Sequence, residues 1–344
     1  MDSNDRSRRL LAALVREYID SGAPVASSTL ADTAGLGVSP ATVRNILARL
    51  EEDGFVQQPH TSAGRVPTDK AYRVYVDLIL ESRRSGRTAS VVEARLRRDH
   101  TAPHVDSMLT HVTHVISQTS RQLGFVMTPS PRSAVFDRLE FIPLDSFNVL
   151  VVIVARGGHV VQKVVNTGEP NDPAVLRQAA AYLNQEFSGL PLHRAREAVV
   201  ERMREERMLY DELMARAIRL ASSTFQEMGD DRTVFIDGAS ALVGEGQGLT
   251  IGALQTLLFM IDEKERLVRL LNACIDGPGL TVVIGAEHTE PTLHPFSLIA
   301  STYEDEAGLG MVGVIGPTRM RYSRAIAVVD AAAQAVSRVL RHPN

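Results

Sequence analysis

Cysteine occurs once in this chain, at Cys274, and tryptophan not at all. A single cysteine excludes an intrachain disulfide and any zinc site built from several thiolates. Aromatic residues make up 5% of the 344 positions, so a core must be filled mainly by aliphatic side chains. Long apolar runs are missing too. The longest, at 149–155, has seven residues, whereas a membrane helix needs roughly 20. The opening MDSNDRSRR is polar and charged with no apolar stretch behind it, so no secretory signal is expected. Nor is there an excess of positive charge: 37 Lys and Arg stand against 41 Asp and Glu, a formal net charge of −4. That balance leaves DNA open as a partner, because a nucleic-acid grip needs only a local basic stripe. The figures fit a cytoplasmic chain of two or three domains.

What is present is clearest near the start. Residues 6–20 read as an amphipathic helix, with Leu10, Leu11, Leu14, Val15 and Ile19 at helical spacing. Gly22-Ala23-Pro24 breaks it, and a short second helix follows, with Ser27 as its expected cap. The third helix has the sharpest start signal: Ser39 suits the N-cap, and Pro40 sits where a missing N–H costs nothing. Val43, Ile46, Leu47 and Leu50 form its inner stripe, and Gly54 suits the position just past its end. Short strands are expected at 55–58 and from Val66, separated by a turn-rich loop, and Thr68 is the expected cap of a fourth helix. Helix, helix, helix, strand, loop, strand, helix is the layout of a winged helix-turn-helix.

A small, basic stretch at 82–90 (SRRSGRTAS) reads as a linker. Beyond it the pattern is mixed. Helices are expected at 104–123, 173–187, 194–228, 253–275 and 322–340. Strands are expected at 125–127, 139–142, 149–155, 160–165, 233–236, 281–284, 298–302 and 311–315. A charged helical block between two strand-rich blocks suggests an insertion within a sheet domain.

On the third helix, the residues opposite the apolar stripe are Ala41, Asn45 and Ala48, with Arg44 and Arg49 on the flanks. Alanines let a helix sit deep in the major groove, Arg pairs bidentately with guanine, and Asn pairs with adenine. Ser39 and Thr42 stand where phosphate would meet the free N–H groups of the helix start. His60, Thr61, Ser62 and Arg65 give the intervening loop a polar tip suited to phosphate or the minor groove. The competing readings are a solvated helix face and an ordinary surface turn.

Four runs carry a family resemblance: GVSPATVRNILARLEEDGFVQQPHTSAGRVPTDKAYRVYVD at 37–77, VIGAEH at 283–288, SLIASTY at 297–303 and GVIGPTRMRYSRAI at 313–326. Together they resemble the heat-inducible transcription repressor family HrcA. One departure is His288, where the family pattern has Asn. The resemblance implies an α+β chain of three parts: a winged helix at 1–85, a GAF-like α/β sheet domain at 90–190 and 277–344, and a mostly helical dimerisation domain inserted at 191–276. It further implies a homodimer on an inverted-repeat operator of double-stranded DNA ahead of chaperone genes. A chaperonin of the GroE type would keep the repressor active, and heat would relieve repression.

Other constellations point elsewhere. His100, His104, His111 and His114 fall near one face of a helix, where His at i and i+4 can chelate a metal, although Pro103 interrupts them. Glu287, His288, Glu290 and His294 suggest a metal or acid–base site, but Pro291 and Pro295 break any fixed spacing. The glycine-rich 244–252 lacks the Lys-Ser/Thr of a phosphate loop. Cys274 reads as a packing residue. No nucleophile–base pair is recognisable, so neither catalysis nor a cofactor is expected. The stretch at 313–320 reads first as a strand exit whose geometry needs Gly316 and Pro317; were the sheet domain a sensor, its rim of Arg319 and Arg321 is where an anion would be taken. The alternative function is therefore a small-molecule-sensing regulator using the GAF-like domain.

Overall fold

In the computed structural model the residues described are 3–35, 37–60, 63–82, 92, 94–95, 105–130, 134–156, 160–168, 170–192, 194–195, 198, 232–242, 249–273, 279–305 and 308–341. The linker at 83–90, most of the charged helical block, the tip residues Thr61 and Ser62, His100, His104, residues 243–248 and Cys274 lie outside them.

Helix α1 (Ser3–Ser21) buries Leu10, Leu11, Leu14 and Val15 on one stripe. It ends at Gly22, whose φ of +69° suits a residue without a Cβ. After α2 (Ser27–Thr33) comes α3 (Pro40–Glu52), which buries Val43, Leu47 and Leu50. Each of those side chains contributes about 1.5–3 kcal/mol by burial. The α3 start is built as its sequence indicates, with the Thr42 N–H donating to Ser39 Oγ at 3.2 Å. At the other end Gly54 (φ +76°) turns the chain, and the Phe55 N–H donates to the Leu50 carbonyl at 2.8 Å.

Two short strands, β1 (Val56–Gln57) and β2 (Val66–Pro67), pair antiparallel with Val56 opposite Pro67. Helix α4 (Asp69–Glu81) follows and buries Ala71, Tyr72, Tyr75 and Val76. Two caps differ from expectation. Ser27 lies inside α2, and its hydroxyl accepts from Arg44 Nε at 3.3 Å. Thr68 holds the N-cap position of α4, but its hydroxyl donates to the Gly54 and Phe55 carbonyls (2.8 and 2.9 Å), tying the strand pair to the helix.

The later elements are α5 (Val105–Ser120), β3 (Leu123–Met127), β4 (Phe136–Pro143), β5 (Asn148–Ala155), β6 (Val160–Asn166), α6 (Pro173–Phe187), β7 (Val234–Asp237), α7 (Ile251–Asp262), α8 (Lys264–Ala273), β8 (Leu280–Ile284), β9 (Phe296–Asp305), β10 (Gly308–Pro317) and α9 (Tyr322–Arg341). The helix expected at 253–275 is two helices. Glu263 (φ −87°, ψ 71°) leaves helical geometry, and its carbonyl accepts the Arg266 and Leu267 N–H groups that start α8.

The strands form two separate larger sheets. One has the order β7-β3-β10-β9-β8, and the other is β4-β5-β6. The chain gathers into two units, residues 1–126, 235–301 and 312–335 in the first and residues 127–234, 302–311 and 336–344 in the second. From the sequence, the strands at 125–127, 139–142, 149–155 and 160–165 are expected in one sheet domain with those at 281–284, 298–302 and 311–315, interrupted by an insertion at 191–276 that holds the strand at 233–236. In the structure, by contrast, 136–166 form a sheet of their own in the unit that includes 127–234. Strand pattern shows which face is buried and not which strand is the neighbour.

In the first unit, Gly313 lets strands and core meet: a Cβ there would stand 2.5 Å from both the Ile299 carbonyl oxygen and the Phe125 ring. In the second, β5 alternates, with Val149, Val151, Ile153 and Ala155 buried in a core shared with Leu176, Leu183 and Phe187 of α6. Asn184 clamps the pair, donating to the Leu139 carbonyl (3.0 Å) and accepting its N–H (2.6 Å).

Candidate nucleic-acid interface

The outer face of α3 follows from its inner one. With Val43, Leu47 and Leu50 buried, Ala41, Arg44, Asn45, Ala48 and Arg49 are exposed, and Thr42 and Ile46 are half-buried. The first turn of α3 holds no acidic side chain. The positive end of the helix dipole and its free N–H groups are therefore not neutralised from within. Ser39 is exposed, and its hydroxyl lies 3.0 Å from that of Thr42. Arg44 is held from below by Ser27, a residue whose role sequence reasoning assigned to a cap.

The strand pair stands beside this face. Val25 bridges to Arg65, with N–H to carbonyl bonds of 2.9 Å in both directions. Gly64 permits the approach, because a Cβ there would lie 2.3 Å from the Val25 oxygen. Gln58 Nε2 donates to the Ala63 carbonyl at 3.0 Å, closing the loop. His60 is exposed at the turn. Arg65 is turned inward: its guanidinium pairs with Glu51 of α3 at 2.8 Å and is 20% exposed. Glu51 lies on the same helix as the basic face, and no sequence spacing marks the pair.

The sequence's other constellations resolve into packing and ion pairs. His114 Nδ1 lies 2.6 Å from Asp237 Oδ2. Glu287 bonds Arg73, and Glu290 bonds Arg266 at 2.9 Å. His294 Nε2 faces the His288 carbonyl at 3.3 Å. Burial, with the charge of His294 next, lowers the pKa of His288 below its usual value, against weaker opposing effects from a Phe296 backbone bond and Glu287. Among the described residues no three His, Cys, Asp or Glu side chains gather as a metal site, and no helix is long and apolar enough to cross a membrane. The turn at 316–320 is filled from within the protein: Gly316 abuts Gln122, Met320 is buried, and Arg319 lies against Gly22.

The family model described as HrcA protein C terminal domain matches residues 106–326. The heat-inducible transcription repressor HrcA of Geobacter sulfurreducens is 36% identical over 342 residues, covering 98% of each chain. The chain belongs to the HrcA family. Other HrcA relatives include that of Syntrophobacter fumaroxidans, 34% identical over 100% of this chain and 99% of its own. That of Xanthomonas campestris is 36% identical over 98% and 96%. A crystal structure described as a hypothetical protein has the same fold, with a TM-score of 0.61 at 23% identity over 98% of this chain and 99% of its own. With HrcA relatives along its whole length, the chain is a heat-inducible transcription repressor.

Proposed function

We propose that residues 1–85 are a winged helix-turn-helix that binds double-stranded DNA, with α3 in the major groove and the β1–β2 loop as the wing. The observation that carries this is the exposed α3 face, on which Arg44 and Asn45 stand between Ala41 and Ala48 at a helix start free of acidic groups. Arg44 and Asn45 read bases. Ser39, Thr42 and Arg49 contact phosphate, and His60, Thr61 and Ser62 extend the contact from the wing. Arg65 braces the wing through Glu51.

We infer further, from family membership, a cytoplasmic homodimer that represses chaperone genes from an inverted-repeat operator. Two-fold protein symmetry matches two-fold site symmetry. The five-stranded sheet with its helices is read as the GAF-like domain, and the unit that includes 127–234 as the inserted domain. That unit offers a dimer surface. On the face of β4-β5-β6 away from its core, Ile142, Leu150 and Val164 align across the three strands, and Val160 and Val164 are more than half exposed. A GroE-type chaperonin sets the fraction of active dimer, and heat diverts that chaperonin to unfolded clients.

The test is titration of the full chain against chaperone promoter duplexes from its own genome, before and after treatment with chaperonin and ATP. The active fraction should rise while affinity stays constant. Full activity without chaperonin at growth and heat-shock temperatures would overturn the chaperonin step, and equal binding to unrelated duplexes would overturn the operator reading.

A further inference from the structure

One set of polar contacts in the first unit is not used by DNA reading as proposed above. Asp69, Tyr72 and Arg73 lie at i, i+3 and i+4 on α4 and so share a face. All three meet the segment that follows β8 or the start of α9. Arg73 Nε donates to Glu287 Oε1 at 2.7 Å, its Nη2 contacts Glu287 Oε2, and Nη2 also donates to the Val282 carbonyl at 2.7 Å. The Ala286 N–H donates to Asp69 Oδ2 at 2.9 Å. Gly285 (φ +50°) makes room, because a Cβ there would lie 2.2 Å from the same carboxylate oxygen. The Tyr72 and Tyr322 rings sit 5.8 Å apart. Tyr322 is buried, and its hydroxyl bonds Ser297 (2.8 Å) and the Thr318 carbonyl (2.7 Å).

A second attachment lies at the end of α1. Arg321 pairs with Asp20 at 3.0 Å. Arg319 covers Gly22 so closely that a Cβ there would stand 1.7 Å from its guanidinium. One contact leaves a hinge, whereas two on different helices fix a rotation. None of these residues is on the outer face of α3, which stays open. Much of the first and third C-terminal family runs, VIGAEH and GVIGPTRMRYSRAI, is thereby committed to holding the first eighty residues.

We propose that Asp69, Tyr72 and Arg73, held by Ala286, Glu287 and Tyr322 and seconded by Asp20–Arg321, form a positioning latch that fixes the direction of α3, so that a dimer accepts half-sites at one spacing only. The proposal rests on the reading that α3 binds DNA. A fixed head turns the second half-site contact into a preorganised event, and a loose head accepts several spacings at lower affinity. The latch residues are positioning residues and touch no DNA.

The experiment uses the full-length protein and duplexes selected from random sequence for tight binding to it, then rebuilt with the half-sites one and two base pairs further apart or with one half-site alone. Glu287→Gln keeps an acceptor for the Ile284 N–H, which bonds Glu287 Oε2 at 2.8 Å, while removing the charge that Arg73 meets. Glu287→Gln combined with Arg321→Ala should lower the preference for the selected spacing by about tenfold, within the roughly 10²–10⁴ that linkage supplies, and leave single half-site affinity unchanged. Arg73→Lys, which keeps charge but loses the two-pronged bond, should fall between and serves if the double variant does not fold. An unchanged spacing preference, with Arg44→Ala weakening every duplex, overturns the latch. Arg44→Ala binding every duplex as the wild type does overturns the α3 reading itself.

Discussion

Ser39 serves two purposes in this account, and substitutions separate them. Its hydroxyl caps α3 by accepting the Thr42 N–H, and it is exposed at the end proposed to face phosphate. Ser39→Ala removes the cap and should cost about 1 kcal/mol of stability, within a range of about 0.5–2. Ser39→Asp restores a capping oxygen and adds a negative charge to a first turn that has none, which contributes a further ~0.3–1 kcal/mol. Its stability should therefore equal or exceed wild type. DNA sees the reverse order. A carboxylate about 6 Å from a phosphate is repelled by about 1–3 kcal/mol between aqueous and surface dielectric values. The lost hydroxyl bond to phosphate removes about 1.5–3 kcal/mol more. Together, at about 2.5–6 kcal/mol, they predict a loss of roughly sixtyfold to twenty-thousandfold in DNA affinity for the more stable protein. Thermal unfolding and fluorescence-anisotropy titration at one fixed salt concentration measure the two quantities. If Ser39→Asp bound DNA as tightly as the wild type, the start of α3 would not face the backbone.

Two further predictions rest on other parts of the chain. Val160→Glu with Val164→Glu places charges on the outer face of β4-β5-β6 and should convert dimer to monomer in sedimentation. A stable dimer would move the interface elsewhere, with the exposed Ile251, Leu258 and Phe259 of α7 next in line. His288 is buried, its Nε2 lacks a hydrogen-bond partner, and its pKa is lowered by burial. Its neutral form is therefore the folded one, and stability is complete above the unfolded value of about 6.5 and falls as pH drops below it. His288→Asn should flatten the acid side of a stability–pH curve measured by denaturant titration, and an unchanged curve would remove His288 from that account.

Legibility followed the range of the interaction. Pro173–Phe187 was readable to the residue because Asp172, Pro173 and the apolar spacing are all local. Ser39, Pro40 and Gly54 likewise bounded α3, and from its buried stripe the exposed candidates Ala41, Arg44, Asn45, Ala48 and Arg49 followed by rotation. What failed was non-local. Arg65 looked like a wing-tip cation, yet it faces Glu51 fourteen positions earlier. Glu287 closes on Arg73 across 214 positions, a pair that no local spacing marks. The apolar run at 149–155 does not name its partners; in the folded chain it is the central strand of three, paired on both sides. Ser27 and Thr68 stand at the starts of α2 and α4 as their neighbours suggest, but their hydroxyls bond other elements and cap neither helix.

The central claim is that Arg44 and Asn45 read bases from the exposed face of α3. The direct measurement is a matrix of affinities: wild type, Arg44→Ala and Asn45→Ala, each titrated against the selected duplex and against duplexes changed one base pair at a time. If the claim holds, each variant loses about 1–3 kcal/mol on the selected duplex and ceases to discriminate at one base pair, while discrimination elsewhere and non-specific binding stay near wild type. Equal losses across every duplex, with discrimination intact at all positions, would contradict it and reduce both residues to backbone contacts.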